Sequence, residues 1–290
     1  MTSGRLLHVV SPGPLATVQD LGRRGFADIG VSPSGAADRA GLRAANRAVG
    51  NDGGAAALEI TFGGLSVRAG GDLLVSLSGA PCPATVDGAS VEAVRFPLPD
   101  GALLRLRRPS AGLRSYLAVR GGIAVEPLLG SRSTDVLSGL AAVPPLTAGV
   151  ELPIGVDPGA SVPVGIEPPG QLDDRLPTLT VRFGPREDWF TPASRRSLLG
   201  QEFLVTPDSN RVGLRLSGPV LERAVAGELP SEGMVRGALQ VPPSGQPTLL
   251  LADHPVTGGY PVIAVVLRDD VDLAAQLRPG RALRFRQQNA

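Results

Sequence analysis

Lysine is absent from this chain of 290 residues; all 28 basic positions are arginine. That excludes Schiff-base chemistry, a P-loop lysine and a lysine for biotin attachment within these residues. Any carboxybiotin or acyl carrier is then expected on another polypeptide. Cysteine occurs once, as Cys82 in Gly79-Ala-Pro-Cys-Pro83, which rules out a disulfide framework and reads as a small buried hydrophobe. Histidine occurs twice, as His8 and His254. A Ser-His-Asp arrangement would need His254, yet the adjacent Asp253 is badly placed to orient it, because neighbours on a strand point to opposite faces. No Gly-x-Ser-x-Gly elbow, Gly-x-Gly-x-x-Gly run, Walker loop or zinc spacing occurs, so no metal site is expected. Aromatics make up only 3%, and the net charge is +1 with no basic stripe, which argues against a nucleic-acid partner. No apolar run approaches membrane-spanning length, and Leu6-Leu-His-Val-Val10 is too short for a signal core. A cytoplasmic protein without a membrane partner is expected.

What the chain does have is a 42% hydrophobic fraction supplied by Leu, Val, Ile and Ala. Its 38 Gly and 28 Pro are spread between short apolar runs, a pattern of many turns between strands. Strands are expected at 6–10, 58–61, 65–68, 73–77, 103–107 and 115–119. The second half adds 179–183, 203–206, 213–216, 238–241, 249–251, 263–267 and 283–285. Helices are few. One is expected over 36–49, capped by Ser34 and stopped by Gly50-Asn51; a second runs from Thr191-Pro192 to Gly200; a third covers 271–277. Two short echoes suggest duplication: 31–43 with 205–215, and Ala57-Leu-Glu-Ile60 with Ala238-Leu-Gln-Val241. The Pro/Gly/Asp-rich stretch from Asp157 to Pro177 reads as the linker. It divides the chain into 1–165 and 175–290, with a soft boundary that segments can cross.

The most distinctive stretch runs from Ser231 to Pro261. Two apolar runs, 248–252 and 262–267, flank a loop that carries Asp253, Thr257, Gly258, Gly259 and Tyr260. A sheet that ends in such a loop presents polar groups on a rigid frame, although a plain turn between strands has the same composition. Glu232 and Asp253 are the favoured base or substrate-orienting groups, and Glu59, flanked by Leu58 and Ile60, points either to solvent or into a cleft. Arg211 and Arg215 can grip a carboxylate or phosphate by two bonds, or form solvated ion pairs. Asn46, Gln240 and Gln246 can donate to an amide or a developing oxyanion. Asp20 reads as a turn-closing residue and Asp38 as a favourable charge in a first helical turn.

Ordered motifs along the chain add a resemblance. They are Thr17-Val-Gln-Asp-Leu-Gly-Arg23, Gly30-Val-Ser-Pro-Ser-Gly-Ala-Ala-Asp38, Tyr116-Leu-Ala-Val-Arg-Gly-Gly122 and Leu129-Gly-Ser-Arg-Ser-Thr134. Later come Gly184-Pro185, Asp188-Trp-Phe190, Ser209-Asn-Arg-Val-Gly-Leu-Arg-Leu216 and the Ser231–Pro261 stretch. Together they resemble the biotin-dependent carboxyltransferase, or allophanate hydrolase subunit 2, family. The resemblance implies a mainly β fold of two cyclophilin-like β-barrel halves with a few short helices. It implies a subunit of an ATP-dependent 5-oxoprolinase, which opens the 5-oxoproline lactam to glutamate, with ATP at a shared or partner site. Its expected partners are a companion allophanate hydrolase subunit 1-type protein, a barrel-type third subunit and a small amide substrate. Two alternatives stay open: a carboxyltransferase acting on urea or another amide, with biotin on another chain, and a regulatory protein that sequesters its companion. The chain departs from the family pattern at Ala37, where Met is frequent, and at Val262, where Lys is frequent. Its loop reads Asp-His-Pro-Val-Thr rather than Asp-Arg-Gln-Thr-Thr.

Overall fold

The computed structural model describes residues 2–162 and 175–288. The middle of the expected linker, 163–174, lies outside the described residues. The chain divides into two compact units. Residues up to 23 and from 34 to 162 form the first; Arg24–Pro33 and 175–288 form the second.

The first unit contains β1 (Thr2–Ser11), β2 (Leu15–Gln19), α1 (Arg39–Ala48), β3 (Ala57–Thr61), β4 (Ser66–Gly70) and β5 (Leu73–Gly79). It continues through β6 (Ala84–Val86), β7 (Ala89–Val91), β8 (Arg95–Leu98), β9 (Leu103–Leu106), β10 (Arg114–Val119) and β11 (Glu151–Gly155). One sheet has the order β11-β1-β4-β9-β6-β7 and the other β2-β3-β10-β5-β8. Leu7, Val67, Leu104 and Leu152 of the first sheet meet Val18, Leu58, Val75 and Leu117 of the second in one core. Alternation sends the remaining residues of β3 and β10 to the opposite face. There Ala57, Tyr116 and Ala118 pack against Leu42 and Ala45 of α1. The second sheet is therefore covered on both faces at its centre, which is why β10 is buried along its whole length.

The second unit is a closed barrel. Its strands are β12 (Thr178–Phe183), β13 (Glu202–Val205), β14 (Gly213–Ser217), β16 (Ala238–Gln240), β17 (Thr248–Leu250), β19 (Val262–Val266) and β20 (Ala282–Gln287). A small ribbon of β15 (Glu232–Gly233) and β18 (Thr257–Gly258) accompanies them, with helices α2 (Pro192–Gly200) and α3 (Arg268–Ala274). The order β12-β19-β16-β17-β14-β13-β20 closes through a parallel pairing of β12 with β20. Leu179, Leu239, Ile263, Phe203 and Phe285 fill the interior, the two phenyl rings edge to face at 5.7 Å.

Every strand expected from the sequence is present. Those not foreseen are mostly short, such as the two-residue β15 and β18. Helix α2 starts at Thr191, whose side chain accepts from the Ser194 amide, with Pro192 in the first turn. Helix α1 corrects the expectation of a Ser34 cap. Ser34 and Gly35 both have positive φ (50° and 93°), so they form a turn, and the cap is Asp38, which accepts from Gly41 N at 2.8 Å. Helix α3 begins at Arg268, three residues before the expected start. The echo of 31–43 with 205–215 does not survive, since one segment enters a helix and the other a strand. Ala57–Ile60 and Ala238–Gln240, by contrast, are both strand.

Candidate active site

The two ends of the 253–261 loop are fixed by different bonds. At its start, Asp253 N donates to Arg211 O at 3.1 Å, and the Asp253 carboxylate accepts from Arg211 Nε at 2.8 Å and Nη2 at 3.0 Å. Both side chains are shut away from solvent, at 1% and 0% exposure. At the loop's end, Val241 N donates to Pro261 O and Gln240 Nε2 to Tyr260 O at 3.2 Å. His254 is buried, with Nδ1 2.8 Å from Pro255 O. Between these anchors β18 pairs with β15, setting Glu232 opposite Gly258 and Gly233 opposite Thr257. The ribbon rests on a small apolar cluster of Met234, Ala238, Leu250 and Val262.

Glu232, Thr257, Gly258, Gly259, Tyr260 and Gln240, all of them expected site residues, lie around this ribbon. The structure adds Arg186. Its backbone N donates to Val262 O, and Val262 is the strand partner of Gln240. Its guanidinium bonds Glu232 from Nε, at 2.9 and 3.2 Å to the two carboxylate oxygens, and from Nη2. This pair is open to water, at 37% and 24% exposure. The Arg186 bond holds the Glu232 carboxyl below the usual carboxylate range, and Glu232 in turn holds Arg186 more firmly protonated. Gly258 is tight against Gln240: a Cβ there would lie 2.6 Å from Gln240 Nε2. Nε2, which donates to Tyr260 O, is therefore the end of the Gln240 amide set against the ribbon.

The other expected site residues lie apart. Gln246 accepts from Gly218 N at 2.8 Å and donates to Gly218 O at 3.1 Å, so it splints a turn. Arg215 is exposed on β14. Asn46 and Glu59 belong to the first unit. Asn46 Nδ2 donates to Ala55 O and its Oδ1 accepts from Asn51, fixing the end of α1. Glu59 points to neither solvent nor an open cleft: its Oε2 accepts from Ala37 N (2.9 Å) and Tyr116 OH (2.8 Å), with Arg114 Nε 3.5 Å from Oε1. Burial, and then the Glu59 and Asp38 carboxylates, push the Tyr116 hydroxyl well above its usual range, so it remains a donor. Asp20 anchors the 131–133 turn, accepting from Ser131 Oγ, Ser133 Oγ and Arg132 N. Two hollows lie elsewhere and contain none of the expected residues. One, of about 280 Å³, runs along 77–83 and 91–94, where burial raises the Cys82 thiol to about 11; the other, open and about 500 Å³, lies beside Arg195 and Arg196. Among the described residues no cluster of His, Cys, Asp and Glu is arranged to hold a metal ion. No helix among them is long and apolar enough to cross a membrane.

A closed barrel with an ion-paired ribbon at its edge, together with a two-sheet unit, defines a class that comparison with known proteins identifies. The model of the carboxyltransferase domain, subdomain A and B, matches residues 29–287, and the chain belongs to that family. It is 40% identical over 283 residues to a subunit of the 5-oxoprolinase of Escherichia coli, covering 97% of this chain and 90% of that protein. It is 32% identical to the urea amidolyase of Lachancea kluyveri, covering 96% of this chain and 17% of that much longer protein. The structure of TTHA0988 superposes with a TM-score of 0.89 at 35% identity, over 99% of this chain and 56% of that one. The chain thus spans little more than half of TTHA0988, and 18% of the urea amidolyase of K. lactis, which it matches with a TM-score of 0.88 at 28% identity.

Proposed function

We propose that this chain is the subunit of a 5-oxoprolinase that holds the lactam while it is hydrolysed to glutamate. The observation that carries the reading is the 40% identity to the Escherichia coli 5-oxoprolinase subunit over nine-tenths of its length. The ribbon supports it chemically. The Gln240 side-chain amide can bond the lactam amide, and Glu232, once released from Arg186, can orient the water that adds to the carbonyl carbon. The C–N bond then opens and the ring nitrogen takes a proton to become the amine of glutamate. Asp253 and Arg211 act on this site as a positioning pair that fixes the start of the loop, and Thr257, Gly258, Gly259 and Tyr260 shape its wall.

The helix starts do not fit the phosphates of ATP. Asp38 occupies the start of α1 with a carboxylate, Thr191 and Pro192 fill the start of α2, and Asp269 and Asp270 stand in the first turn of α3. We take the nucleotide of the complex to bind on a companion of the allophanate hydrolase subunit 1 type, on a barrel-type third subunit, or at a surface shared with one of them. In the test, this chain is co-expressed with both companions and glutamate release from 5-oxoproline is followed with and without ATP. Release that requires all three proteins and ATP supports the reading; a stable complex without release defeats it.

The family model and the urea amidolyase match favour a second reading, carboxyl transfer to urea or another amide from biotin carried by another chain. Urea-dependent loss of labelled carboxyl from a biotinyl protein, in the presence of this chain, would select it.

A further inference from the structure

We infer that Arg186 is the subsite for a substrate carboxylate and that Glu232 occupies it as an internal stand-in when no substrate is bound. This deepens the 5-oxoprolinase reading and rests on it. The geometry is that of guanidinium–carboxylate recognition, with Nε and Nη2 both on one carboxylate. What distinguishes this pair is access. Arg186 is 37% exposed, whereas Arg211, bonded through the same two nitrogens to both oxygens of Asp253, is 1% exposed. A buried fork holds a fold together; one that water reaches can exchange its partner.

The surroundings name the class of ligand. Glu232 faces Gly258 across the ribbon, and Gly258 lies against the Gln240 side-chain amide. The Arg186 backbone bonds Val262, the strand partner of Gln240. Arg186 and Gln240 are thus joined through one pair of contacts on each side. Nε2 of Gln240, the end of that amide set against Gly258, gives one of its two N–H groups to Tyr260 O. A guanidinium near a side-chain amide suits a small molecule that carries a carboxylate next to an amide of its own. That is the arrangement in 5-oxoproline, whose ring nitrogen and carboxylate share one carbon; urea has no carboxylate for Arg186 to take.

The test measures equilibrium binding of labelled 5-oxoproline to this chain, alone and assembled with its companions, beside 2-pyrrolidinone, the same ring without the carboxylate. The wild type should prefer 5-oxoproline. Arg186→Gln should weaken 5-oxoproline by about tenfold or more and leave 2-pyrrolidinone unchanged, the loss typical of a charged hydrogen-bonded contact. Glu232→Gln should tighten 5-oxoproline by several-fold, roughly what removing a surface competitor yields. Arg186→Lys, which keeps the charge but not the fork, should fall between wild type and Arg186→Gln. If 5-oxoproline binds the wild type and Arg186→Gln equally, the subsite is overturned while the functional reading stands. If neither the chain nor the complex binds 5-oxoproline, both fall.

Discussion

Two arginine–carboxylate pairs stand at the two margins of one loop region, and they differ in access to water and in geometry. In Arg211–Asp253 Nε and Nη2 each take a different carboxylate oxygen, whereas in Arg186–Glu232 both converge on Oε1 and Nε alone reaches Oε2. The first is sealed and the second is partly open. In a sealed pair, both charges have lost their hydration and each depends on the other. In an open pair, water can replace either partner at little cost. A carboxylate in a distinctive motif is therefore not, on that ground, the reacting group. Glu232 and Asp253 come from the same motif and are favoured alike by the sequence; the sealed pair makes Asp253 the expected anchor, and the open one makes Glu232 the group free to leave its partner.

The largest effect should come from breaking the sealed pair. Asp253→Asn leaves the Arg211 charge buried without its counter-charge and should cost about 3–5 kcal/mol of stability, read by denaturant unfolding. Replacing both residues by apolar groups of similar size should recover much of that loss. Full stability in Asp253→Asn would erase the distinction between the pairs. A smaller effect is expected in the first unit, where Tyr116 OH accepts from Asp38 N and donates to Glu59. Tyr116→Phe removes the acceptor of the buried Asp38 amide and one of the donors to Glu59, and should cost about 1–3 kcal/mol in the same measurement. It should not alter the preference for 5-oxoproline over 2-pyrrolidinone.

The strands were legible in the sequence because apolar runs punctuated by Gly and Pro carry their own periodicity, and so was the ribbon side of the candidate site. Arg186 was not legible. It stands 46 residues from Glu232, and nothing local in Gly184-Pro185-Arg186 tells a paired arginine from a solvated one. The available signal was its place between two of the family motifs, Gly184-Pro185 and Asp188-Trp-Phe190. Glu59 was misleading for the opposite reason. Alternation correctly turned it away from the core that holds Leu58 and Ile60, but only the packing of α1 on that face makes the far side buried. Alternation assigns a face; it does not reveal what covers the face.

Two milder perturbations act on the open pair's surroundings. Gly258→Ala would bring a methyl group against Gln240 Nε2, the movable end of a side chain, so stability should change by less than about 1 kcal/mol. The displaced amide should nevertheless weaken the lactam by about fivefold, the worth of one neutral hydrogen bond, seen as a higher KM or Kd. Unchanged affinity would remove Gln240 from the site.

The smallest expected effect is on pH dependence, and its sign follows from Glu232. Its carboxyl is held below the ordinary 4.5 by Arg186, so the pair is fully formed above that value and is lost as pH falls through the depressed pKa. Because the pair is open, its loss should barely change unfolding free energy. What should change is occupancy of Arg186. Protonated Glu232 no longer competes, so a carboxylate ligand that stays ionised should bind Arg186 more tightly as pH drops into that window. The sealed Arg211–Asp253 pair offers no such exchange. Binding of 5-oxoproline, corrected for its own ionisation, is therefore expected to strengthen on acidification in the wild type. In Glu232→Gln it should be much flatter, because that variant lacks the carboxyl bonded to Arg186. A wild-type profile as flat as the variant's would mean that Glu232 does not compete for Arg186, and the two pairs would then differ in burial without differing in role.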